Sequence, residues 1–187
     1  PLQRIEKGLA AIRSGAAVRL EGSLPAEIEP LQSELHALLQ ANQDILKTHP
    51  ENVKALIELG NLHYDLKEFR EAIPYYERAK AKDPNNISVI VDLATAHWYL
   101  GEMDPAIAGL EEALKKDPNH PQALNNMGIV MLHGKNDLAA AKKYWNRLLA
   151  TGTKDIDLAG VKRRLDVIDT MLAQQKAAAE KPGTPVM

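Results

Sequence analysis

Three stretches of this chain repeat one pattern of apolar and small residues at a spacing of 34 residues, and that spacing constrains the fold more than any single motif. The repeats run over residues 53–86, 87–120 and 121–154. Leu56, Leu59, Gly60, Ala72, Tyr76, Ala79 and Pro84 of the first are matched by Ile90, Leu93, Ala94, Ala106, Leu110, Ala113 and Pro118 of the second. In the third, Leu124, Met127, Gly128, Ala141, Trp145 and Leu148 match, with one extra residue in the turn between His133 and Asp137 and no closing proline. Apolar residues recur at helical spacing in each half repeat, so each repeat reads as a pair of helices. Gly60, Ala94 and Gly128 on one helix, with Ala72, Ala106 and Ala141 on the other, allow a close approach; Tyr76 and Trp145 fill the space that remains. Asp83-Pro84-Asn85-Asn86 and Asp117-Pro118-Asn119-His120-Pro121 separate the repeats, because proline cannot continue a helix but suits the first turn of the next.

These residues at this period are those of the tetratricopeptide repeat (TPR), and the middle three-fifths of the chain resembles that family. The resemblance implies an all-α fold: an α-solenoid of antiparallel helix pairs, wound as a right-handed superhelix, with additional N-terminal helices. Each repeat stacks on its neighbour because none can bury its apolar face alone. We expect a TPR domain over residues 49–180. It includes a capping helix over 156–179, where Ile156, Leu158, Val161, Leu165, Ile168 and Leu172 alternate with charged residues. The Pro- and Gly-containing end, 181–187, reads as a disordered tail.

Residues 1–48 follow another pattern. Leu2, Ile5, Leu9 and Ile12 lie at helical spacing, a connector with Gly15 and Gly22 follows, and a second helix opens near Pro30 with Leu31, Leu35, Leu38, Leu39, Ile45 and Leu46. Pro1-Leu2, the stretch from Arg13-Ser14-Gly15 to Leu20-Glu21-Gly22, and Pro25-Ala26-Glu27-Ile28-Glu29-Pro30-Leu31 leading to Leu38-Leu39 and Asn42 resemble the HAMP linker of bacterial sensor histidine kinases. That resemblance implies a membrane-proximal, parallel homodimeric four-helix bundle that relays a signal. No phosphoacceptor-histidine helix or ATP-binding domain follows Leu46, so kinase activity is not implied. A second reading stays open beside it: the segment caps the solenoid, with residues 30–48 docking as a degenerate half-repeat.

The formal net charge of −2 argues against a nucleic-acid or anionic-lipid binder. With no cysteine, disulfides, thiol catalysis and Cys-based zinc sites are excluded. No apolar run reaches the roughly 18–20 residues that span a bilayer. Because the sequence opens at Pro1, we expect a membrane anchor upstream of it, with the protein in the periplasm or the cytoplasm.

In TPR proteins the concave groove is lined by the first helix of each repeat. Its exposed positions here are Lys54, Ile57, Glu58, Asn61, Tyr64 and Asp65, then Ser88, Val91, Asp92, Thr95, Trp98 and Tyr99, then Gln122, Asn125, Asn126, Ile129, Leu132 and His133. From these we expect partner contacts from Ile57, Asn61, Tyr64, Val91, Thr95, Trp98, Asn125, Asn126 and Ile129. Ile57, Val91, Ile129, Tyr64 and Trp98 are apolar groups placed to anchor a partner. The asparagines can bond a peptide backbone as donor and acceptor. The competing reading makes Tyr64 and Trp98 ordinary core. An apolar or amphipathic helical segment of another protein is the expected ligand, with a homodimer through the N-terminal helices as a further contact. The carboxylate clamp that TPR domains use for chaperone C-termini is not expected. At its positions stand Ile57, Asn61, Asp92, Gln122 and Asn126, of which only Asn61 fits, and Asp92 would repel a carboxylate.

No catalytic, metal or cofactor site is expected. His63 and His97 recur one repeat apart, about 10 Å at ordinary helix spacing, too far to share a metal with bonds of about 2 Å. They read as structural. HExxH, GxSxG, a phosphate-binding glycine loop and CxxC are all absent from the sequence. The stretch from Asn126-Met127-Gly128 to Tyr144-Trp145-Asn146-Arg147-Leu148-Leu149-Ala150 is similar to the last repeat of small bacterial TPR proteins, including chaperones of apocytochromes in c-type cytochrome assembly. The chain is therefore expected to be a protein-binding scaffold or assembly chaperone. The alternative is a dimeric signalling component in which a HAMP-like linker is coupled to the TPR module.

Overall fold

The computed structural model describes residues 29–179, with side chains from residue 33 onward. The first part of the HAMP-like segment and the tail 181–187 lie outside the described residues. Eight helices and no strands make up the described residues: α1 (Glu29–Thr48), α2 (Val53–Asp65), α3 (Phe69–Lys82), α4 (Ile87–Tyr99), α5 (Met103–Lys116), α6 (Pro121–His133), α7 (Leu138–Thr151) and α8 (Leu158–Ala179). The fold is all-α and TPR-like. None of these helices is long and apolar enough to cross a membrane. The chain divides into two compact units at Leu100 and Gly101.

In the first unit, α2 and α4 each start at an asparagine. Asn52 Oδ1 accepts from the Ala55 amide at 3.0 Å, and Asn86 Oδ1 accepts from the Val89 amide at 3.2 Å. Each satisfies one of the donors that a helix leaves unpaired at its start. Leu56 of α2, Ala72, Tyr76 and Ala79 of α3, and Val89 and Leu93 of α4 form the core. Gly60 makes this packing possible: a Cβ there would lie 2.6 Å from Cε1 of Tyr76, well inside contact distance. The expected match of small residue and large ring is therefore present. Helix α1 packs along α2, with Leu46 against the core. Leu35, Leu39 and Asn42, on the same stripe of the helix, are half-buried. Leu38 and Ile45 stay outward, 37% and 40% exposed. Helix α1 thus lies along the first repeat.

The second unit uses the same devices. His120 Nδ1 accepts from the Ala123 amide at 3.3 Å at the start of α6, with Pro121 in its first turn, and Asp137 Oδ1 accepts from the Ala140 amide at 2.8 Å at the start of α7. Trp145 of α7 is fully buried over Gly128 of α6, where a Cβ would stand 2.6 Å from its Cδ1. Its Nε1 donates to the Asn125 carbonyl at 3.2 Å. Helix α7 ends at Gly152, left-handed at φ 63°, the backbone form that closes many helices. Asp157 Oδ1 accepts from the Gly160 amide at 3.0 Å and opens α8, whose Val161, Leu165 and Ile168 are buried.

The turn inside each repeat needs one residue with positive φ. Lys67 (63°), Gly101 (77°) and Asn136 (52°) supply it, and the extra residue of the third repeat moves its position by one. Glycine and asparagine tolerate this region; lysine occupies it against the steric cost of its Cβ.

Candidate functional site

The first unit presents a face formed by α2 and α4. Asn61, in the middle of α2, is exposed, and its Oδ1 accepts from the Tyr76 hydroxyl at 2.9 Å. A buried ring of α3 thus holds an exposed amide in a set orientation. Burial, reinforced by the carboxylate of Asp92, pushes the Tyr76 phenol well above its usual range, so it stays a neutral donor.

One turn on, Tyr64 is half-buried and meets two other rings edge-on: Phe69 at 5.2 Å and Tyr99 at 6.1 Å between centroids. Phe69 and Tyr99 stack at 4.5 Å with 11° between their planes. Tyr99 is 57% exposed, which makes it the most accessible aromatic of the cluster. Burial and then the neighbouring Tyr99 and Asp92 raise the Tyr64 phenol, so it too is neutral. Asp92 of α4 is half-buried, and its carboxyl is pushed up to about 6, first by burial and then by the Asp65 carboxylate.

The remaining expected contacts of this unit divide. Ile57 is half-buried against the core, and Trp98 is half-buried. Val91 and Thr95, expected to be exposed, are not: Val91 is fully buried and Thr95 is 7% exposed, its Oγ1 donating to the Val91 carbonyl at 2.6 Å. The physical reason is the composition of α4, in which Val89, Ile90, Val91, Leu93, Ala94, Thr95 and Ala96 are all buried. A helix apolar around most of its surface is enclosed, and only a narrow stripe near Ser88, Asp92 and Tyr99 reaches solvent.

On α6 of the second unit, Asn125, Asn126 and Ile129 are half-buried. Asn125 Nδ2 donates to Asn126 Oδ1 at 3.3 Å, while the Asn125 Oδ1 atom is buried without a hydrogen-bond partner. The same unit carries an open groove of about 410 Å³ between Leu132 and α8, lined by Arg163, Arg164, Val167 and Met171 among others.

The His63 ring stacks on Tyr75 at 5.5 Å, and its Nδ1 lies 2.8 Å from Glu68 Oε2. Among the described residues no group of three or more His, Cys, Asp or Glu side chains could hold a metal ion. Sequence reasoning placed Asp65, Asp92 and Tyr99 at lining positions but did not select them, and it passed over Phe69. The aromatic pair Trp98-Tyr99 at the end of α4 was the signal available, since successive helical residues point about 100° apart and the two rings do not share one face.

Comparisons with known proteins place these features. Tetratricopeptide repeat models match residues 32–87 and 64–125. A model of the sensor protein PhoQ-like HAMP domain matches residues 1–44, of which only the last part is described. No curated protein matches in sequence. Among solved structures, the chain is similar to the Sgt2 TPR domain from Aspergillus fumigatus at 25% identity and a TM-score of 0.61, over 72% of this chain and 88% of that one. The first TPR domain of Spaghetti (RPAP3), bound to the HSP90 peptide SRMEEVD, is similar at 23% identity and a TM-score of 0.58, over 65% of this chain and 93% of that one. MamA is similar at 18% identity and a TM-score of 0.61, over 86% of this chain and 100% of that one. Carrying the repeat's own packing at Gly60–Tyr76 and Gly128–Trp145 and repeat matches from residue 32 to residue 125, this chain is a tetratricopeptide repeat protein.

Proposed function

We propose that the protein is an interaction scaffold or assembly chaperone that receives a segment of another protein on the α2–α4 face. The observation that carries this is Tyr99, 57% exposed and stacked on Phe69, beside the half-buried Tyr64 and Trp98 and the oriented amide of Asn61. Rigid aromatic groups at a partly solvated surface are the groups that anchor partners at low entropic cost. An amphipathic helix fits: its apolar side would lie on Tyr99 and Trp98, and Asn61 would bond a polar group at its edge. The RPAP3 domain holds a peptide ending in EEVD; Asp92, standing at a clamp position here, makes an acidic C-terminus an unsuitable ligand. A bacterial origin and a membrane tether outside residues 1–187 belong to the same proposal.

The test is a pull-down from bacterial lysate with the wild type and with Trp98→Ala/Tyr99→Ala. The expected result is a protein retained by the wild type alone. Equal retention by both would remove the face from consideration.

A second reading has its own support, the HAMP-domain match over residues 1–44 together with the outward Leu38 and Ile45 of α1. These two residues lie seven apart on one line of the helix, the spacing of a helix-dimer seam. In this reading the chain is a dimeric signalling component. Light scattering of the wild type against Leu38→Glu/Ile45→Glu decides it: a dimer reduced to monomer supports the reading, and a monomeric wild type ends it.

A further inference from the structure

We infer that the second unit has a protein-binding groove of its own, between Leu132 of α6 and the outer stripe of α8, and that it receives a helical segment of another protein with an acidic residue one turn from bulky apolar ones. The inference is independent of the α2–α4 face.

Helix α8 has two sides with different fates. Val161, Leu165 and Ile168 are buried. Arg164, Val167 and Met171 recur at i, i+3 and i+7, which puts them on one stripe of the helix. That stripe stays outside: Val167 is 58% exposed and Met171 38%. The open groove of about 410 Å³ lies beside them, with the half-buried Leu132 on its wall. Three apolar side chains thus converge on one hollow, which sets them apart from apolar residues scattered singly over a surface.

Charge complementarity names the occupant. Arg163 and Arg164 both line the groove, against one carboxylate, Asp157. That carboxylate is already engaged: its Oδ1 accepts from the Gly160 amide at 3.0 Å, and its Oδ2 lies 3.4 Å from Arg163 Nη2. The Asp157–Arg163 pair is exposed on both sides, so water screens it and a ligand carboxylate displaces it at little cost. Arg164 holds its guanidinium 5.6 Å from the centroid of the buried Trp145 ring. The ring fixes where the cation sits without neutralising its charge. A planar guanidinium held in place suits a carboxylate, which it meets with two parallel hydrogen bonds. A helix with Glu or Asp three or four residues from Leu, Ile or Phe satisfies both features at once. Its apolar side chains lie on Leu132, Val167 and Met171, and its carboxylate reaches the arginines. The net charge of −2 opposes an anionic membrane as the occupant.

The experiment is selection of a displayed library of helix-forming peptides on the whole chain, residues 1–187, in parallel with Arg163→Gln/Arg164→Gln and Val167→Ser/Met171→Ser. The best peptide, and the same peptide with Gln for Glu or Asn for Asp, are titrated by fluorescence anisotropy. The methyl signals of Val167 and Met171 are followed by NMR. The expected result is enrichment of an acidic residue near bulky apolar ones, with both methyl signals moving as the peptide binds. Affinity should fall about tenfold or more with the arginine variant and with the neutralised peptide. Should either variant fail to fold, the neutralised peptide and the methyl signals of the wild type still decide. Methyl signals unmoved by every selected peptide, or a neutralised peptide that binds as well as the acidic one, overturn the inference. Peptides lost only on Trp98→Ala/Tyr99→Ala overturn it too, and leave the α2–α4 reading intact. Sedimentation of the chain alone and with phosphatidylglycerol vesicles covers the other occupants. A dimer dispersed by Val167→Ser/Met171→Ser, or vesicle binding lost with the arginines, gives the groove to a second copy or to a membrane and overturns the inference as well.

Discussion

The Tyr76 hydroxyl donates to Oδ1 of Asn61 at 2.9 Å, reaching past Gly60, whose missing side chain leaves the ring its path. A buried aromatic of one helix thereby orients an exposed amide of another, and the packing of the core and the chemistry of the face share one side chain.

Gly60→Ala tests that coupling. The new methyl group would press on the Tyr76 ring, an overpacking that costs about 1–3 kcal/mol against about 1 kcal/mol gained in helix propensity. Thermal unfolding should show a net loss, and Gly60→Ala/Tyr76→Leu should recover part of it. The same change at Gly128 should cost at least as much, since Trp145 is larger and held by its bond to Asn125. An unchanged melting temperature for both would mean that the helix pairs separate freely.

Lys67 sits in the left-handed region at φ 63°, exposed and in a turn. Lys67→Gly should raise stability by about 0.5–1 kcal/mol, because the relief of steric cost exceeds the added freedom of the unfolded chain. Gly101→Ala, at φ 77°, should lower stability by a similar amount. Denaturant titration with an unchanged slope reads both, and opposite signs are required.

Asp92 predicts a pH dependence. Its carboxyl titrates near 6 in the folded protein against 3.8 as the unperturbed value. Between those values the native state holds a proton that the unfolded state has lost, so stability falls as pH rises through that window. Asp92→Asn should therefore stabilise the protein above about pH 7, by up to about 2–3 kcal/mol for a shift of this size. The gain should shrink toward zero near pH 4. A gain equal at both ends would show that the carboxylate is not the cause.

Tyr64 and Tyr99 should separate stability from binding. Tyr64 packs against the core cluster, so Tyr64→Ala should cost about 2 kcal/mol or more of stability. Tyr99→Ala, at an exposed ring, should cost under about 1 kcal/mol of stability and about 2 kcal/mol of partner affinity. Paired thermal melts and binding titrations give both numbers. A Tyr99→Ala protein that binds as the wild type does would remove the aromatic anchor.

The period of 34 residues and the pairing of Gly60 with Tyr76 and of Gly128 with Trp145 were legible without coordinates. They depend on helix geometry and side-chain volume, which act over a few turns and leave a direct mark on residue order. The apolar stripe of α1 was legible from Leu35, Leu39 and Leu46, but what it covers was not. The face was legible as a set of helix positions and no further. Val91 and Thr95 occupy lining positions yet lie inside, while Tyr99 one residue after Trp98 lies outside. In a helix as apolar as α4, periodicity does not say which apolar side faces a neighbour.

Sequence alone determined the repeat, its helix pairs and the small-to-large packing inside them, since each follows from local geometry. Only tertiary structure decided which side chains of α2 and α4 remain at the surface, that burial raises the Asp92 carboxyl, and that Tyr76 reaches Asn61. Burial, electrostatic coupling and hydrogen bonding between helices are properties of distance, and residues far apart in sequence carry no record of that distance until the helices pack.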